Sequence, residues 1–142
     1  MLQQLLLGSF IISLTIIVQA VFIVSITSFL ERVGTWLVLP PVGPKALAFT
    51  IAIVLWLLAG ITVNTWIWVG IFLWYDAFDA LEPALYFAIV TFTTLGYGDI
   101  APGEEWRILA ALSSVNGIII FGLNTAFLVE FISRLRQAQE QM

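Results

Sequence analysis

Residues Thr93–Asp99 read Thr-Thr-Leu-Gly-Tyr-Gly-Asp, and the reading of this heptapeptide decides the fold. It closes an apolar run, Pro83–Thr93, of only eleven residues, and long apolar segments lie on either side. As helix that run is ~16 Å long, about half of a ~30 Å hydrocarbon core. Irregular backbone at membrane depth survives only where it is buried in protein or lines an aqueous path. A half-length helix that gives way to Gly-Tyr-Gly therefore demands a pore-like setting. Gly96 and Gly98 permit the backbone angles that point successive carbonyls the same way. The carbonyls of Thr94 to Tyr97, with the Thr94 hydroxyl, can then replace the water around a dehydrated cation. The C-terminal end of the short helix aims its partial negative charge at the membrane centre, where it stabilises such an ion.

Composition points the same way. Of 142 residues, 61% are hydrophobic and 10% charged, which excludes an ordinary soluble domain. No charged side chain occurs from Met1 to Leu30, from Ala46 to Tyr75 or from Ile108 to Val129. Each stretch exceeds the ~20 apolar residues that cross a bilayer as helix. The expected fold class is an all-α membrane protein with three transmembrane helices and a re-entrant half-helix and loop. The first stretch is too long for a signal peptide, has no basic residue before it and no small-x-small cleavage site before Arg32, so it reads as an uncleaved helix. The sequence has no Cys and no His, which removes disulfides, thiolate metal sites and the usual near-neutral proton sensor. No segment repeats a basic residue at every third position, as an Arg-rich voltage sensor does.

The basic residues are Arg32, Lys45, Arg107, Arg134 and Arg136. Four of them follow the first helix or end the last one, and the positive-inside rule places both regions in the cytoplasm. The expected topology is multi-pass in the plasma membrane, with the N-terminus outside and the C-terminus cytoplasmic. The segment 76–107 then faces outward and carries Asp76, Asp79, Glu82, Asp99, Glu104 and Glu105 against one arginine. Such a mouth raises the cation concentration within a Debye length, ~8 Å in physiological salt. For Asp76 and Asp79, mere solvation of a loop is an equally good reading.

Along the chain, residues 1–32 form the additional N-terminal helix. Gln19 lies near its middle, and Ser9 and Ser13 share a face expected to pack on another helix. Residues 33–45 form a cytoplasmic linker, in which Pro40, Pro41 and Pro44 break helix and Trp36 sits at the interface. An outer helix covers 46–75, with Trp66, Trp68, Trp74 and Tyr75 as an interfacial belt. Glu82-Pro83 marks the start of the half-helix 83–93. The last helix covers 104–136, anchored by Trp106 at one end and by Arg134 and Arg136 at the other, and 137–142 form a short tail. Asn116 and Asn124 on this helix are read as interhelical hydrogen-bonding residues ahead of ion contacts. Glu130 and Arg134, spaced i,i+4, form a surface pair; a ring of Glu130 at the inner mouth is the alternative.

Thr94-Leu95-Gly96-Tyr97-Gly98 closely resembles the potassium-channel signature sequence, with Leu95 where that signature has valine. Residues 46–136 look like the outer helix, pore helix, filter (94–99) and inner helix of bacterial potassium channels; residues 1–32 lie outside the resemblance. In that family filter carbonyls coordinate potassium in single file between four subunits, so the resemblance implies a homotetramer. It makes Thr94, Leu95, Gly96, Tyr97 and Gly98 the lining of the selectivity filter, with Thr94 closing the inner end. The side chains of Leu95 and Tyr97 are then directed into the packing around the filter, where Leu95 bears on its rigidity. Thr93, Asp99 and Tyr86 become filter supports. Tyr86 and Phe87 stand at the aromatic pore-helix positions, and Tyr86 can offer Asp99 a hydroxyl, whereas Phe87 and Val90 cannot. Gly117 falls at the gating-hinge glycine and Gly122 at a second small position. A glycine inside a helix permits bending or lets another helix approach closely, and the hinge is the reading preferred here. Ile118, Phe121 and Thr125 then face the cavity below the filter, with Val129 and Ser133 nearer the inner mouth.

The expected function is a potassium-selective channel that conducts K+ passively across the membrane. A non-selective monovalent cation channel is the first alternative, and a non-conducting membrane adaptor subunit the second. An enzyme is the least expected class, because the sequence offers no nucleophile–base pair, metal-ligand cluster or phosphate-binding glycine loop. The expected partners are K+ ions, the lipid bilayer and further copies of the chain, with no nucleic acid, small-molecule substrate or cofactor.

Overall fold

The computed structural model describes residues 1–38 and 42–140. Four α-helices follow one another: α1 (Leu2–Val38), α2 (Val42–Trp74), α3 (Leu81–Phe92) and α4 (Arg107–Glu140), with a 3-10 turn at Glu104–Trp106 before α4. Among the described residues there is no strand. Three spans are long and apolar enough to cross a membrane: Leu2–Arg32 and Pro44–Trp74 with 31 residues each, and Glu104–Gln137 with 34. At 1.5 Å per residue the shorter spans reach ~46 Å, so they tilt or protrude from a ~30 Å core. The all-helical fold class with three spanning helices and one short helix agrees with the sequence.

Helix ends differ from expectation in ways that local chemistry explains. The 33–45 linker is shorter than read, because α1 continues to Val38 and α2 already begins at Val42. No proline interrupts the chain between Glu31 and Val38, so the helix runs on. Pro44 falls in the first turn of α2, where a missing N–H leaves no helical bond unmade. Pro40 and Pro41, and the side chain of Trp36, lie outside the described residues. α2 ends at Trp74, one residue before the expected end. Asp76 then adopts φ 51°, and the Ala77 N–H donates to the Phe72 carbonyl at 2.8 Å. α3 starts two residues before Pro83, after an extended Ala80, with Glu82 in its first turn. α4 runs on past Arg136 to Glu140.

α1 packs on both α2 and α4, and so does α3; α2 and α4 meet chiefly through these two. α1 lies parallel to α4, since Gln4 bonds to the Glu105 carbonyl and accepts from the Leu109 N–H, while Thr15 meets Asn116 further along. The main core joins Ile11 of α1, Trp68, Val69 and Phe72 of α2, Phe87 and Phe92 of α3, and Leu109 and Ile120 of α4. Phe72 sits edge-on to both Phe78 and Phe87, with ring centroids 5.9 and 5.5 Å apart, the geometry that aromatic quadrupoles favour. A smaller cluster around Ile53, Leu57 and Phe131 closes the other end.

Apolar packing between membrane helices is no better than packing against lipid, so small and polar residues decide which helices meet. Gly8 lets α1 close on Leu112, where a methyl group would collide. Asn116 Nδ2 donates to the Thr15 hydroxyl at 2.8 Å. Gln19 Nε2 donates to Asn124 Oδ1 at 2.7 Å, and Asn64 Nδ2 donates to Gln19 Oε1 at 2.9 Å. Asn116 and Asn124 thus do make the interhelical bonds expected of them. Ser9 and Ser13 do not: both lie on the exposed side of α1, and Ser13 donates back to the Ser9 carbonyl at 2.8 Å. The packed face of α1 is instead Gly8, Ile11, Thr15 and Gln19, a spacing of three to four residues that follows the helical period.

Candidate functional site

α3 is a twelve-residue helix, and it hands its last carbonyls directly to Thr93–Gly98. The Thr93 N–H donates to Ile89 at 3.0 Å and the Thr94 N–H to Thr91 at 3.0 Å. The Val90 carbonyl then accepts two backbone bonds, from Leu95 N–H at 2.9 Å and Gly96 N–H at 3.1 Å. The carbonyls that a helix C-terminus leaves unmatched are thereby used to hang the loop. The Thr93 hydroxyl donates to Ile89 at 2.7 Å, so its side chain braces the helix end.

Beyond that point the backbone alternates. Thr94, Gly96 and Gly98 have φ of 62°, 58° and 75°, while Leu95 and Tyr97 between them do not have positive φ. Alternation in the sign of φ is the kind of backbone that can turn successive carbonyls toward one side. Glycine takes up the left-handed angle without cost. Thr94 is β-branched, and holding it there stores strain of ~1–3 kcal/mol. The three bonds from Thr94, Leu95 and Gly96 to the end of α3 hold it in place.

Asp99 lies where the loop leaves this segment. The Tyr86 hydroxyl donates to Asp99 Oδ2 at 2.7 Å, the pairing foreseen for these two residues. The Asp99 carboxylate that accepts its proton holds the Tyr86 phenol above its ordinary value, helped by burial and by the charge on Asp99. Every residue from Thr93 to Asp99 is exposed in the single chain. Leu95 is 56% and Tyr97 68% accessible, so this chain alone does not supply the packing expected around them.

On α4, Ile118, Phe121 and Thr125 lie on the face turned away from buried Asn116, Ile120 and Asn124. Ile118 is 61% and Val129 60% exposed, and the Thr125 hydroxyl donates to the Phe121 carbonyl at 2.8 Å. Ile118 and Thr125 thus lie on an uncovered side of α4, with Phe121 at its edge. The two glycines behave differently. A methyl group on Gly117 would run into the Phe92 carbonyl, at the end of α3, whereas one on Gly122 would meet nothing within 4 Å. Close approach to α3 by itself accounts for glycine at 117. Phe121 also reaches Phe92, with centroids 6.3 Å apart, and closes an apolar cavity of about 380 Å³ lined by Leu58, Thr62, Thr65, Ile89 and Phe92 among others.

The charged residues stay at the surface. Glu130 and Arg134 form the expected pair at 2.6 Å, both exposed. Asp76, Asp79, Glu82, Glu104 and Glu105 are exposed as well, and Arg107 pairs with Glu104 at 3.1 Å. No group of three His, Cys, Asp or Glu side chains suited to a metal exists among the described residues. Sequence reasoning overlooked Asn64 and the positive φ of Thr94. A lone asparagine inside a charge-free run was the available signal for the first, and a β-branched residue two before a glycine carries none for the second.

Comparison with known proteins bears on the same segment. A family model described as Ion channel matches residues 50–134. The potassium voltage-gated channel protein Shal of Drosophila melanogaster is 34% identical over 59 residues, which is 41% of this chain and 10% of that protein. The A-type voltage-gated potassium channels KCND3 of Rattus norvegicus and Homo sapiens are each 32% identical over 59 residues, 41% of this chain and 9% of theirs. The chain therefore spans about a tenth of the length of these curated relatives. No solved structure matches it.

Proposed function

This chain belongs to the ion channel family, and from that premise we propose that it is a potassium-selective pore assembled from four copies. The observation that carries the reading is the alternation of φ at Thr94, Gly96 and Gly98, hung from the C-terminus of a half-length helix. One strand of carbonyls contacts an ion from one side only. A cage that replaces a hydration shell needs ligands all round, and cyclic assembly of identical strands provides them. The exposure of Leu95 and Tyr97 supports this, since neighbouring copies would supply the packing that they lack here.

Ions enter at the α2–α3 loop end, past exposed acids that raise the local cation concentration. They shed water against the carbonyls of Thr94 to Tyr97, with the α3 C-terminal dipole favouring positive charge just below. Repulsion between ions in adjacent sites offsets the favourable binding, so transit stays fast. Below the filter lies the face of Ile118, Phe121 and Thr125. Of the two glycines expected to bend α4, Gly122 is the candidate bending point, because Gly117 is packed on the end of α3. The charge distribution favours an N-terminus outside and a C-terminus in the cytoplasm, and the parallel run of α1 and α4 is compatible with it.

The decisive experiment is cation flux from liposomes reconstituted with the full chain, followed by reversal potentials in mixed potassium and sodium with barium as blocker. Potassium-selective, barium-sensitive flux is expected. Equal permeability would make the pore non-selective, the first alternative, and absence of any current would favour the adaptor reading.

A further inference from the structure

We propose that Gln19 of the first helix is a latch that holds α4 straight across Gly122. The latch concerns the mechanics of the bundle; it rests on the channel reading only where bending of α4 is taken to open the pore.

Gln19 is completely buried and is held from two sides. Asn64 of α2 donates to its Oε1 at 2.9 Å, which fixes the amide so that Nε2 donates to Asn124 of α4 at 2.7 Å. Gly60 makes room for it, since a methyl group there would lie 2.7 Å from Gln19 Oε1. Residues from two other helices thus converge on one side chain of a helix outside the resemblance to bacterial channels.

One turn earlier on α1, α4 is fixed in a different manner. Asn116 bonds to Thr15 at 2.8 Å, and the next residue, Gly117, is packed on the Phe92 carbonyl at the end of α3. That contact leaves α4 no room to pivot at 117 without displacing α3. Gly122 is the opposite: it has nothing within 4 Å of where a side chain would begin, and a helix-interior glycine is a natural point of bending. If the second half of α4 swings about Gly122, the Thr15–Asn116 bond stays intact and Asn124 is drawn away from Gln19. Among the described residues the Asn124 amide N–H has no acceptor of its own, so the bond to Gln19 is its tie to the bundle. Water cannot replace that bond in the hydrocarbon core. Gln19 is therefore a positioning residue for the lower half of α4, Asn64 orients it, and Thr15 anchors the half that does not move.

The test compares wild type with Gln19→Met, Asn124→Leu, the double variant and Thr15→Val, all as full chains in bilayers. Two quantities are read: open probability in symmetrical potassium, and the α1–α4 distance distribution between spin labels at Ser28→Cys and Ile132→Cys. The absence of native cysteine makes that labelling site-specific. A hydrogen bond between membrane helices shifts an equilibrium by about threefold on average and about twentyfold at most. Gln19→Met and Asn124→Leu should each raise open probability, and the population of the longer distance, within that range. The double variant should add nothing further, and Thr15→Val should change both by less than either single variant. Unchanged values in Gln19→Met and Asn124→Leu would overturn the latch, and so would a Thr15→Val effect as large as theirs. Should one of the two single variants fail to fold, the other carries the same expectation. If wild type passes no current, the channel reading fails by itself, and the label distances decide the latch on the same criteria.

Discussion

The loop Thr93–Asp99 and the seam between α1, α2 and α4 solve opposite problems. In the loop, backbone atoms carry the chemistry, every residue is exposed in one chain, and conformation is set by φ and by a few bonds to the end of α3. In the seam, side chains carry it: Thr15, Gln19, Asn64 and Asn116 are completely buried, and each helix is chosen by the polar group it offers. The difference teaches that, on the proposed reading, ion handling and helix assembly draw on separate parts of this sequence, which meet where Gly117 and Phe121 of α4 reach Phe92.

That separation is open to attack. Its largest expected breach is Gly98→Ala, which forces an L-residue to φ 75° at ~1–2 kcal/mol in the loop proposed as the filter. Selective potassium flux should fall to background in liposomes, while the thermal unfolding midpoint falls by only several degrees; retained selectivity would defeat the filter reading. Phe72→Ala tests the converse. It removes a fully buried ring and should cost ~3–5 kcal/mol of stability, with the potassium-to-sodium permeability ratio of the surviving protein unchanged. At the junction the two properties should move together. Gly117→Ala drives a methyl group against a carbonyl and should cost ~1–3 kcal/mol while also disturbing flux. Gly122→Ala, into open space, should instead stabilise by up to ~1 kcal/mol. If both substitutions prove stabilising, the junction is not a tight contact. Smallest is Tyr86→Phe, which deletes the hydroxyl on Asp99 and should alter the decay of current with little change in selectivity. The pH dependence has a definite sign. Tyr86 is raised, so the contribution of this bond is complete below the ordinary tyrosine value of ~10 and is lost only as pH climbs through the raised one. Current decay in wild type should accordingly show no step from this pair between neutrality and pH 9, and Tyr86→Phe should differ from it throughout that range.

The same contrast explains what could be read in advance. The loop was legible because its proposed chemistry lies in consecutive residues: two glycines with one residue between them, a short helix before them and an acid after. Tyr86 and Asp99 were within reach because they are only thirteen residues apart. The seam was not legible as a seam. Gln19, Asn116 and Asn124 stood out as polar residues in apolar runs, but their bonds join positions 45, 101 and 105 residues apart, and no local period encodes such pairings. Ser9 and Ser13 misled for a related reason, since a hydroxyl can return its proton to its own helix and so demands no neighbour. The linker was misjudged because Pro40, Pro41 and Pro44 were read as breaking the whole of 33–45, although helix persists to Val38 and resumes at Val42.

The spans of 31 and 34 residues are about half as long again as a ~30 Å apolar slab requires. Membrane depth thereby becomes a mechanical variable for this protein. A deeper bilayer would stand the rods more upright and a shallower one would lean them over, at a fraction of a kcal/mol per ångström. Shifts of that size rival a single contact in the seam, so lipids of different chain length should retune the bundle with no chemical change to the protein.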